Sequence, residues 1–448
     1  MQPVRFEIEQ GNEELVSHSG LAMAGWLLGK TQLAERVDEV RLAGRPRPEI
    51  PHSDVLKAMI GLLCLGKPDF DAIEPFREDP FFALSLGLQQ TPSSPTLRQR
   101  LDEVHGEFDT IILEESARMV RRHASVITTC HGGLTPLDLD LTPFDNSGSH
   151  KEGVSYIYKG YDGYGVCCGY LGVEGYLVNI DLRQGKQHCQ KGMEEFLREA
   201  IGYSRIATDA PLLVRMDSGN DSIGNVKVCL QENVEWVIKR NLRSESSNEW
   251  VELALDEGKR TKIKDGIYGY YGDVYREREE IEVPLRIVYE VIERTVDKTG
   301  NELLFPRYEV NTFWTSLKIA ASEVVELYHQ HATSEQFHSE IKTDMDLERL
   351  PSGKFDTNSL ILLLGLMAYN ILRLMGQETL REDEETPPEQ IAPIRKKVHR
   401  RRLRNVIQDL IYLAARLVYH ARRWKLTFGR NCPWYGVWRR VALRFSSA

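Results

Sequence analysis

The feature that most constrains the fold is a pair of short apolar strands that lead into carboxylates. Residues 137–142 read Leu-Asp-Leu-Asp-Leu-Thr, so leucines occupy one strand face and polar side chains the other. Residues 212–216 form a second apolar strand that runs into Asp217. Between them we predict two strands and an amphipathic helix, at 163–171, 175–182 and 191–204. This order predicts an α/β core with a mixed sheet.

The hydrophobic periodicity and the composition of the chain change on both sides of this core. Helical periodicity dominates before it, Tyr-, Val- and Ile-rich short strands interrupt it, and a polar, proline-containing stretch follows it. We predict six regions: a helical N-terminal DNA-binding region (1–130), the first part of the core (131–233), a β-rich insertion (234–313), the second part of the core (314–375), an acidic linker (376–390) and a basic helical C-terminal region (391–448).

The charge of the chain is unevenly distributed. The whole chain has a net charge of −9, which by itself disfavours a nucleic-acid partner. Residues 391–448, however, contain fifteen Lys and Arg and a single acid, Asp409, and therefore carry +14, which leaves −23 for residues 1–390. A basic segment interleaved with aromatic residues favours contact with the DNA backbone. A membrane-surface helix and a solubilising tail are the alternatives.

Two groups of arginines are candidates for contact with DNA. Ser94 followed by Pro95 indicates a helix start, and a short helix, a turn and a helix that begins with Arg98 and Arg100 is typical of a helix-turn-helix reader. A plain helix start is the alternative. The C-terminal group precedes a predicted helix with Val406, Leu410, Leu413 and Leu417 on an apolar stripe, and it consists of Arg400, Arg401, Arg402 and Arg404.

Cysteine spacing and hydropathy indicate the compartment. The seven cysteines are scattered and show no Cys-x-x-Cys spacing, which favours a reducing cytosol. The N-terminus lacks a cationic start followed by an apolar stretch, so we predict no signal peptide. The apolar run Leu360–Leu372 is too short to span a bilayer, and we predict a buried helix packed on a sheet. We expect a cytoplasmic protein with no membrane partner.

A third acidic residue lies on the predicted helix 322–342, which follows the insertion. Tyr328, His331, Glu335 and Lys342 fall at offsets of 0, 3, 7 and 14 and would share one stripe of a regular helix. Carboxylates from different elements are what a pair of Mg²⁺ ions needs for phosphoryl transfer, and neighbouring cations can hold phosphate. Asp140 and Glu335 as the acid/base pair of a glycoside hydrolase are an alternative that leaves the lysine unexplained.

These motifs, in this order, resemble the bacterial insertion-sequence transposases that have an RNase H-like DDE core and a Tyr-x2-Arg-x3-Glu-x6-Lys signature. Here the signature is Tyr328-x2-His331-x3-Glu335-x6-Lys342, with His331 in place of Arg. The strand patterns match at Asp140-Leu141-Thr142 and at Asp217-Ser218-Gly219. The resemblance covers roughly residues 20–420. Whether the histidine lowers activity, and whether Asp138 rather than Asp140 is the first ligand, stay open.

The resemblance implies an α/β, RNase H-like mixed-sheet core interrupted by a β-rich insertion, with Asp140, Asp217 and Glu335 as catalytic metal ligands. It implies two Mg²⁺ ions, for which Mn²⁺ can substitute, and Tyr328, His331 and Lys342 as DNA contacts. The implied activity is cleavage at terminal inverted repeats and joining of the 3′ ends to target DNA, by a homodimer on paired ends at the bacterial nucleoid. A non-catalytic or domesticated DNA-binding protein is the alternative.

The resemblance also suggests a residue that stacks on an extruded base if a terminal DNA hairpin forms. The tryptophans available for this are Trp236, Trp250 and Trp314. Packing in the core of a small β domain is the competing interpretation for each of them.

Overall fold

The computed structural model describes residues 4–42, 47–382, 385–396 and 398–447, and it is a mixed α/β protein. The chain forms two compact units: unit 1 comprises residues 1–100 and 371–448, and unit 2 comprises residues 101–370. The third acidic candidate and the two strand-borne aspartates all belong to unit 2.

The strands are β1 (Glu14–Val16), β2 (Thr135–Asp145), β3 (Ser155–Tyr156), β4 (Asp162–Leu171), β5 (Tyr176–Gln184), β6 (Leu212–Met216), β7 (Glu235–Lys239), β8 (Lys259–Lys264), β9 (Ile267–Arg278), β10 (Ile281–Val296), β11 (Glu302–Thr315), β12 (Ala415–His420) and β13 (Arg423–Phe428).

The α-helices are α1 (Leu21–Leu28), α2 (Leu33–Glu39), α3 (His52–Cys64), α4 (Pro80–Leu86), α5 (Ser94–Val104), α6 (Asp109–His123), α7 (Met193–Ala207), α8 (Ile223–Gln231), α9 (Ser247–Glu257), α10 (Ala321–His329), α11 (Ser334–Ser339), α12 (Phe355–Thr379), α13 (Leu403–Val406) and α14 (Tyr435–Ser447).

Unit 2 is built on one mixed sheet. Its strand order is β3-β4-β2-β6-β7-β11-β10-β9-β8, and β5 pairs with β4 next to β3. The central strand β2 is antiparallel to β4 and parallel to β6, and β6 is parallel to β7. Helix α7 packs on β5 and β2. The predicted strands at 137–142, 163–171, 175–182 and 212–216 are all present, and so is the predicted mixed sheet.

The segment from 234 to 313 differs from the short strands that its sequence predicts. Its first strand, β7, continues the parallel part of the sheet next to β6. Helix α9 and the six-residue β8 follow, and then three long antiparallel strands of 12, 16 and 14 residues, β9 to β11. Because β11 pairs with β7, these long strands extend the core sheet. Phe313 of β11 therefore lies in one apolar cluster with Leu213 of β6 and Val324 of α10.

The helix predicted over 322–342 is not regular. Helix α10 ends at His329, a 3₁₀ turn spans Gln330–Thr333, α11 follows, and a π-helical turn spans Glu340–Asp344. Apolar residues of α10, among them Val324 and Leu327, are buried in the cluster described above. The prediction that one 3.6-residue period aligns the four signature residues is therefore wrong, because each change of helix type rotates the residues that follow it.

Helix α12 is the predicted buried apolar helix of the core. Within unit 2, Asn370 accepts a 2.9 Å hydrogen bond from the Leu177 amide and donates at 2.7 Å to the Leu177 carbonyl of β5, so the helix packs on the sheet as expected. In the described part of the chain it is the one helix long and apolar enough to cross a membrane, and 94% of its apolar window is buried in the protein.

Unit 1 combines both ends of the chain. Strands β1, β12 and β13 form an antiparallel sheet, in which Glu14 lies opposite Leu417 and Leu417 opposite Leu426. The Gly20 amide donates to the Ile411 carbonyl at 3.1 Å. The basic C-terminal segment is thus part of a folded unit that includes residues from the N-terminus.

The C-terminal helix predicted through Leu417 is wrong. Helix α13 passes into a π-helical turn at Ile407–Ile411, and Leu417 lies on β12. Ala421 and Arg422 both have positive φ angles, 50° and 60°, as in a two-residue hairpin turn. Such turns usually contain Asn or Gly, so the sequence carried no clear signal for this hairpin.

Candidate active site

Asp140 and Asp217 lie level with each other on neighbouring parallel strands. In the register between β2 and β6, Leu139 lies opposite Met216, so the next residue of each strand is one of the two aspartates. Adjacent strands are about 4.8 Å apart. Burial, together with the negative charge of Asp140, raises the pKa of Asp217. The sheet therefore holds two carboxylates close enough to repel each other.

Asp138 has the same side-chain direction as Asp140 but a different environment. It is buried and accepts two hydrogen bonds from Arg215, at 2.6 and 2.7 Å. His331 Nδ1 lies 3.1 Å from the same carboxylate, and Arg215 also donates to the Leu327 carbonyl at 2.7 Å. Burial alone would raise the pKa of Asp138, but the charges of Arg215 and His331 outweigh it and lower the pKa. We call Asp138, Arg215 and His331 the inner cluster.

The inner cluster bears on two questions that the sequence left open. Both oxygens of Asp138 are bound by Arg215, whereas Asp140 is half-buried and has no guanidinium partner among the described residues. His331 is 5% exposed and faces Asp138, which is not the position of a side chain that binds a DNA phosphate. We therefore infer that His331 forms a buried ion pair with Asp138 in place of the direct DNA contact predicted for it, and that Asp138, which is 1% exposed and paired with Arg215, stabilises the fold.

Asp140 is held by two residues of α11 that sequence analysis did not single out. Ser334 Oγ donates to Asp140 Oδ2 at 3.0 Å, and His338 Nε2 lies 3.0 Å from the same oxygen. His338 Nδ1 lies 3.0 Å from the hydroxyl of buried Tyr170. Because a carboxylate only accepts, a neutral His338 donates from Nε2 and accepts from Tyr170 at Nδ1. Ser334 and His338 are four residues apart, so on a helix they share one face, and this spacing was the sequence signal that could have identified them as neighbours of one site.

Asp217 is positioned by the turn that follows β6. Its Oδ1 accepts from the Gly219 amide at 3.1 Å and from Asn220 Nδ2 at 2.9 Å. The loop after β5 packs on this turn, since Cys189 Sγ and Gln190 Nε2 both donate to the Gly219 carbonyl, at 3.1 and 3.3 Å. The Asp-Ser-Gly motif is thus a turn that orients one carboxylate oxygen and leaves the other, Oδ2, accepting no hydrogen bond among the described residues.

Glu335 is not brought together with the two aspartates. Its side chain is exposed in the first turn of α11, although the preceding residue, Ser334, contacts Asp140. Across residues 4–42, 47–382, 385–396 and 398–447, no group of three or more His, Cys, Asp or Glu is placed to hold a metal ion. Two of the three predicted ligands are therefore adjacent, and the third has its backbone near the site and its side chain in solvent.

Tyr328 and Lys342 border the acidic pair. The Tyr328 ring packs on Phe313 with 4.7 Å between ring centroids. Burial and the charges of Asp217, Asp140 and Asp138 raise the pKa of Tyr328. Lys342 donates to the Pro143 carbonyl of β2 and lies 4.0 Å from Glu348, and burial lowers the pKa of its ammonium group.

The three tryptophans are packed inside unit 2. Trp236, Trp250 and Trp314 are 6%, 3% and 2% exposed. Trp314 Nε1 donates to Asp221 at 2.9 Å, and the guanidinium of Arg240 lies 4.5 Å from its ring centroid. Trp250 Nε1 donates to Glu245 at 3.0 Å. A base could not stack on these rings without displacing their neighbours, so these positions correspond to the core-packing interpretation.

The predicted DNA-binding arginines differ in exposure. Arg98 is exposed, whereas Arg100 donates to the Ile50 carbonyl at 3.1 Å and contacts His52 at 2.8 Å. Arg401 is buried, pairs with Asp409 and stacks on Trp434. The other members of the C-terminal group are half-buried (Arg400) or exposed (Arg402 and Arg404). Arg100 and Arg401 thus stabilise unit 1 rather than present free charge.

Comparisons with known proteins agree with the motif order. The family model described as transposase DDE domain, group 1, matches residues 3–448. None of the curated protein sequences matches this chain. Among solved structures, the chain is similar to piggyBac transposase in a synaptic complex with hairpin DNA, with 12% identity over 81% of this chain and 77% of that chain and a TM-score of 0.37.

Proposed function

Because the chain belongs to the family of group 1 transposase DDE domains, we propose that this transposase cleaves DNA at the terminal inverted repeats of its element and joins the freed 3′ ends to target DNA. The observation that carries the proposal is the level placement of Asp140 and Asp217 on neighbouring parallel strands, with a raised pKa at Asp217. Two carboxylates that repel each other near the carboxyl ends of neighbouring central strands are suited to bind a cation.

We infer an RNase H-like core for unit 2. The supporting observation is the strand order β5-β4-β2-β6-β7. Strands β5, β4 and β2 are antiparallel neighbours, β6 and β7 run parallel to β2, and β2, the first strand of unit 2 in sequence, lies in the centre. In this arrangement the long strands β9 to β11 are the insertion between the second aspartate and the signature helices.

The residues present fit divalent metal ions. Asp140 and Asp217 supply hard carboxylate oxygens, and a bound cation would offset the burial and the repulsion by Asp140 that raise the pKa of Asp217. We propose that Glu335 completes the set, because it directly follows Ser334, whose hydroxyl contacts Asp140. Two Mg²⁺ ions, or Mn²⁺ in their place, would activate the attacking oxygen and stabilise the leaving oxygen.

The chain's own residues orient the site for this chemistry. Ser334 and His338 bind Oδ2 of Asp140, and Gly219 and Asn220 bind Oδ1 of Asp217, so each carboxylate is held in one rotamer. Preorganised ligands avoid a loss of side-chain entropy when the substrate binds. We propose that Lys342, whose ammonium group donates to the Pro143 carbonyl of β2, contacts the phosphate next to the cleaved bond.

DNA recognition outside the catalytic centre falls to the exposed cations. Arg98 on α5 and Arg402 and Arg404 near α13 are exposed, so they are the members of the predicted set that we retain as backbone contacts. The substrate is double-stranded DNA of the element ends and of the target. We propose a homodimer on paired ends, since joining two ends to one target requires two catalytic sites.

A cleavage assay tests the proposed function. The protein is incubated with DNA that ends in the inverted repeats flanking its gene, with Mg²⁺ or with EDTA. We expect Mg²⁺-dependent cuts at the repeat ends, lost in Glu335→Gln and kept in Glu326→Gln, because Glu326 is an exposed glutamate of the adjacent helix α10. Equal cleavage by both variants would contradict the role of Glu335.

A non-catalytic DNA-binding protein is the second candidate. The observation in its favour is the solvent-facing position of Glu335, away from the two aspartates. This candidate predicts repeat binding that is the same with Mg²⁺ and with EDTA and no strand cleavage by the unmodified protein. The assay above separates the two.

A further inference from the structure

The turn between β3 and β4 carries exposed aromatic and cationic side chains that have no role so far. The Ile157 amide donates to the Tyr161 carbonyl at 2.9 Å, and the Gly160 amide donates to the Ile157 carbonyl at 3.0 Å. Gly160 has a φ of 91°, a conformation that a residue with a side chain adopts only with strain. With Ile157 buried, this tight turn points Tyr158 and Lys159 outward.

The base of the turn is tightly packed against the end of β5. A Cβ added at Gly185 would lie 2.2 Å from the Ser155 carbonyl oxygen and 2.3 Å from that of Gly163, so only glycine allows this approach. The Lys186 amide also donates to Ser155 Oγ at 2.8 Å. The turn is therefore a fixed feature of the sheet, and the residues at its tip project from a rigid support.

The tip presents a surface of the kind that binds single-stranded nucleic acid. Tyr158 and Tyr156 are 72% and 67% exposed, and Lys159 Nζ lies 5.3 Å from the centroid of the Tyr158 ring. Aromatic rings beside cations bind DNA strands because bases stack on the rings while the cations contact phosphates. The tryptophans cannot offer this surface, because all three that we considered are buried.

The tip also lies at the end of the sheet toward which β2 runs on from Asp140. Tyr156 of β3 pairs with Asp162 of β4, Gly163 of β4 lies opposite Asp145 at the end of β2, and Lys342 Nζ donates to the Pro143 carbonyl between Asp140 and Asp145. Tyr158 is mostly exposed, but its pKa is raised, first by partial desolvation of its hydroxyl and then by the negative charges of Asp140 and Asp217. Burial is the main cause that lowers the pKa of Lys342, and the positive charge of Lys159 adds to it. A phosphate held by Lys342 at the acidic pair would therefore have Tyr158 and Lys159 beside it.

We propose that Tyr158 and Lys159 bind an unpaired nucleotide adjoining the cleaved phosphodiester, with Tyr158 stacked on its base and Lys159 on its phosphate. The inference rests on the proposed function, because it requires the DNA end to lie at Asp140 and Asp217. Stacking of this kind tolerates any base, so the contact favours a frayed or single-stranded end over a sequence. It would hold the opened strand while the catalytic residues act.

The test measures binding in EDTA, where no cleavage occurs. The probes are a blunt duplex and the same duplex with a short single-stranded overhang that contains 2-aminopurine. We expect the unmodified protein to prefer the overhang and to change the 2-aminopurine fluorescence. Tyr158→Ala should weaken overhang binding about 5- to 100-fold and abolish the fluorescence change, whereas Tyr158→Phe should retain both. Lys159→Ala should weaken overhang binding and reduce its salt dependence.

Tyr275→Ala is the matched control, because Tyr275 is a 64% exposed tyrosine on β9. It should bind both probes as the unmodified protein does. Thermal unfolding of each variant identifies any loss of fold. Equal binding of blunt and overhang DNA by the unmodified protein, or unchanged overhang binding by a folded Tyr158→Ala protein, would overturn the inference. Absence of Mg²⁺-dependent cleavage alongside Tyr158-dependent overhang binding would instead count against the proposed function alone.

Discussion

Asp138 and Asp140 lie two residues apart on one face of β2, yet the neighbouring elements give them different partners. In the inner cluster, Arg215 and His331 neutralise a buried Asp138. Asp140 instead lies beside a second carboxylate, Asp217, and accepts from Ser334, His338 and the Leu141 amide, with no guanidinium partner among the described residues. The comparison teaches that strand alternation identifies which carboxylates share a face, whereas the neighbouring elements decide which of them remains available to bind a ligand.

The largest expected effect comes from breaking the inner cluster. Asp138→Asn leaves Arg215 buried without its charged partner, and we expect the free energy of unfolding to fall by about 3–5 kcal/mol. Urea unfolding followed by circular dichroism measures this loss. A change below about 1 kcal/mol would show that Asp138 is not the anchor of a buried pair. Loss of activity in this variant would therefore reflect loss of fold and would not identify Asp138 as a metal ligand.

The pH dependence of this loss provides a control on its cause. The folded-state pKa of Asp138 lies below its unfolded value of about 3.9. The ion pair therefore contributes its full stability above about pH 4, and the contribution is lost as the pH falls through the folded-state pKa. Asp138 also raises the pKa of the neighbouring His331, so that part of the stability is fully present below about pH 6.5 and is lost as the pH rises through the raised pKa. The difference in unfolding free energy between the unmodified protein and Asp138→Asn should therefore be largest between about pH 4 and pH 6.5, and should narrow on both sides of that range. A difference that widens on acidification below about pH 4 would contradict the assignment.

The next effect concerns the open carboxylate. Asp140→Asn should reduce Mg²⁺-dependent cleavage at least about 100-fold, because loss of a ligand exceeds the 10- to 100-fold effect of losing a residue that only orients one. Its unfolding free energy should stay within about 1 kcal/mol of the unmodified protein, since the amide oxygen can still accept from Ser334. Together with Asp138→Asn, this variant separates the catalytic carboxylate from the structural one.

The smallest effect tests the support of Asp140. His338→Ala should weaken Mg²⁺ binding about 10- to 100-fold, as measured by calorimetry on the protein without DNA, because Asp140 Oδ2 loses a donor that orients it. His338→Gln keeps a donor at a similar position and should recover part of that affinity. If both variants bind Mg²⁺ like the unmodified protein, His338 has only a packing role, through its contact with Tyr170.

The positions of the two aspartates on or after strands were predictable from sequence. The arrangement of the site residues on the helices after the insertion was predictable only in part. Alternation and the Asp-Ser-Gly turn placed Asp140 and Asp217 correctly on β2 and after β6, because a strand's period of two holds wherever a strand forms. The signature residues were identified, but their shared stripe assumed a regular helix. The 3₁₀ and π turns between Tyr328 and Lys342 removed that regularity and brought Ser334 and His338 to Asp140 instead.

Amino-acid sequence by itself determined the main core strands of unit 2 up to β6 with the helix before it, the two carboxylate-bearing strands and the family resemblance, because these depend on local periodicity and on motif spacing. Tertiary structure alone decided that Arg215 binds Asp138, that β11 extends the core sheet, and that the basic C-terminal segment folds with the N-terminus. Those outcomes depend on contacts between residues far apart in the chain, for which charge, burial and geometry are set only when the elements pack.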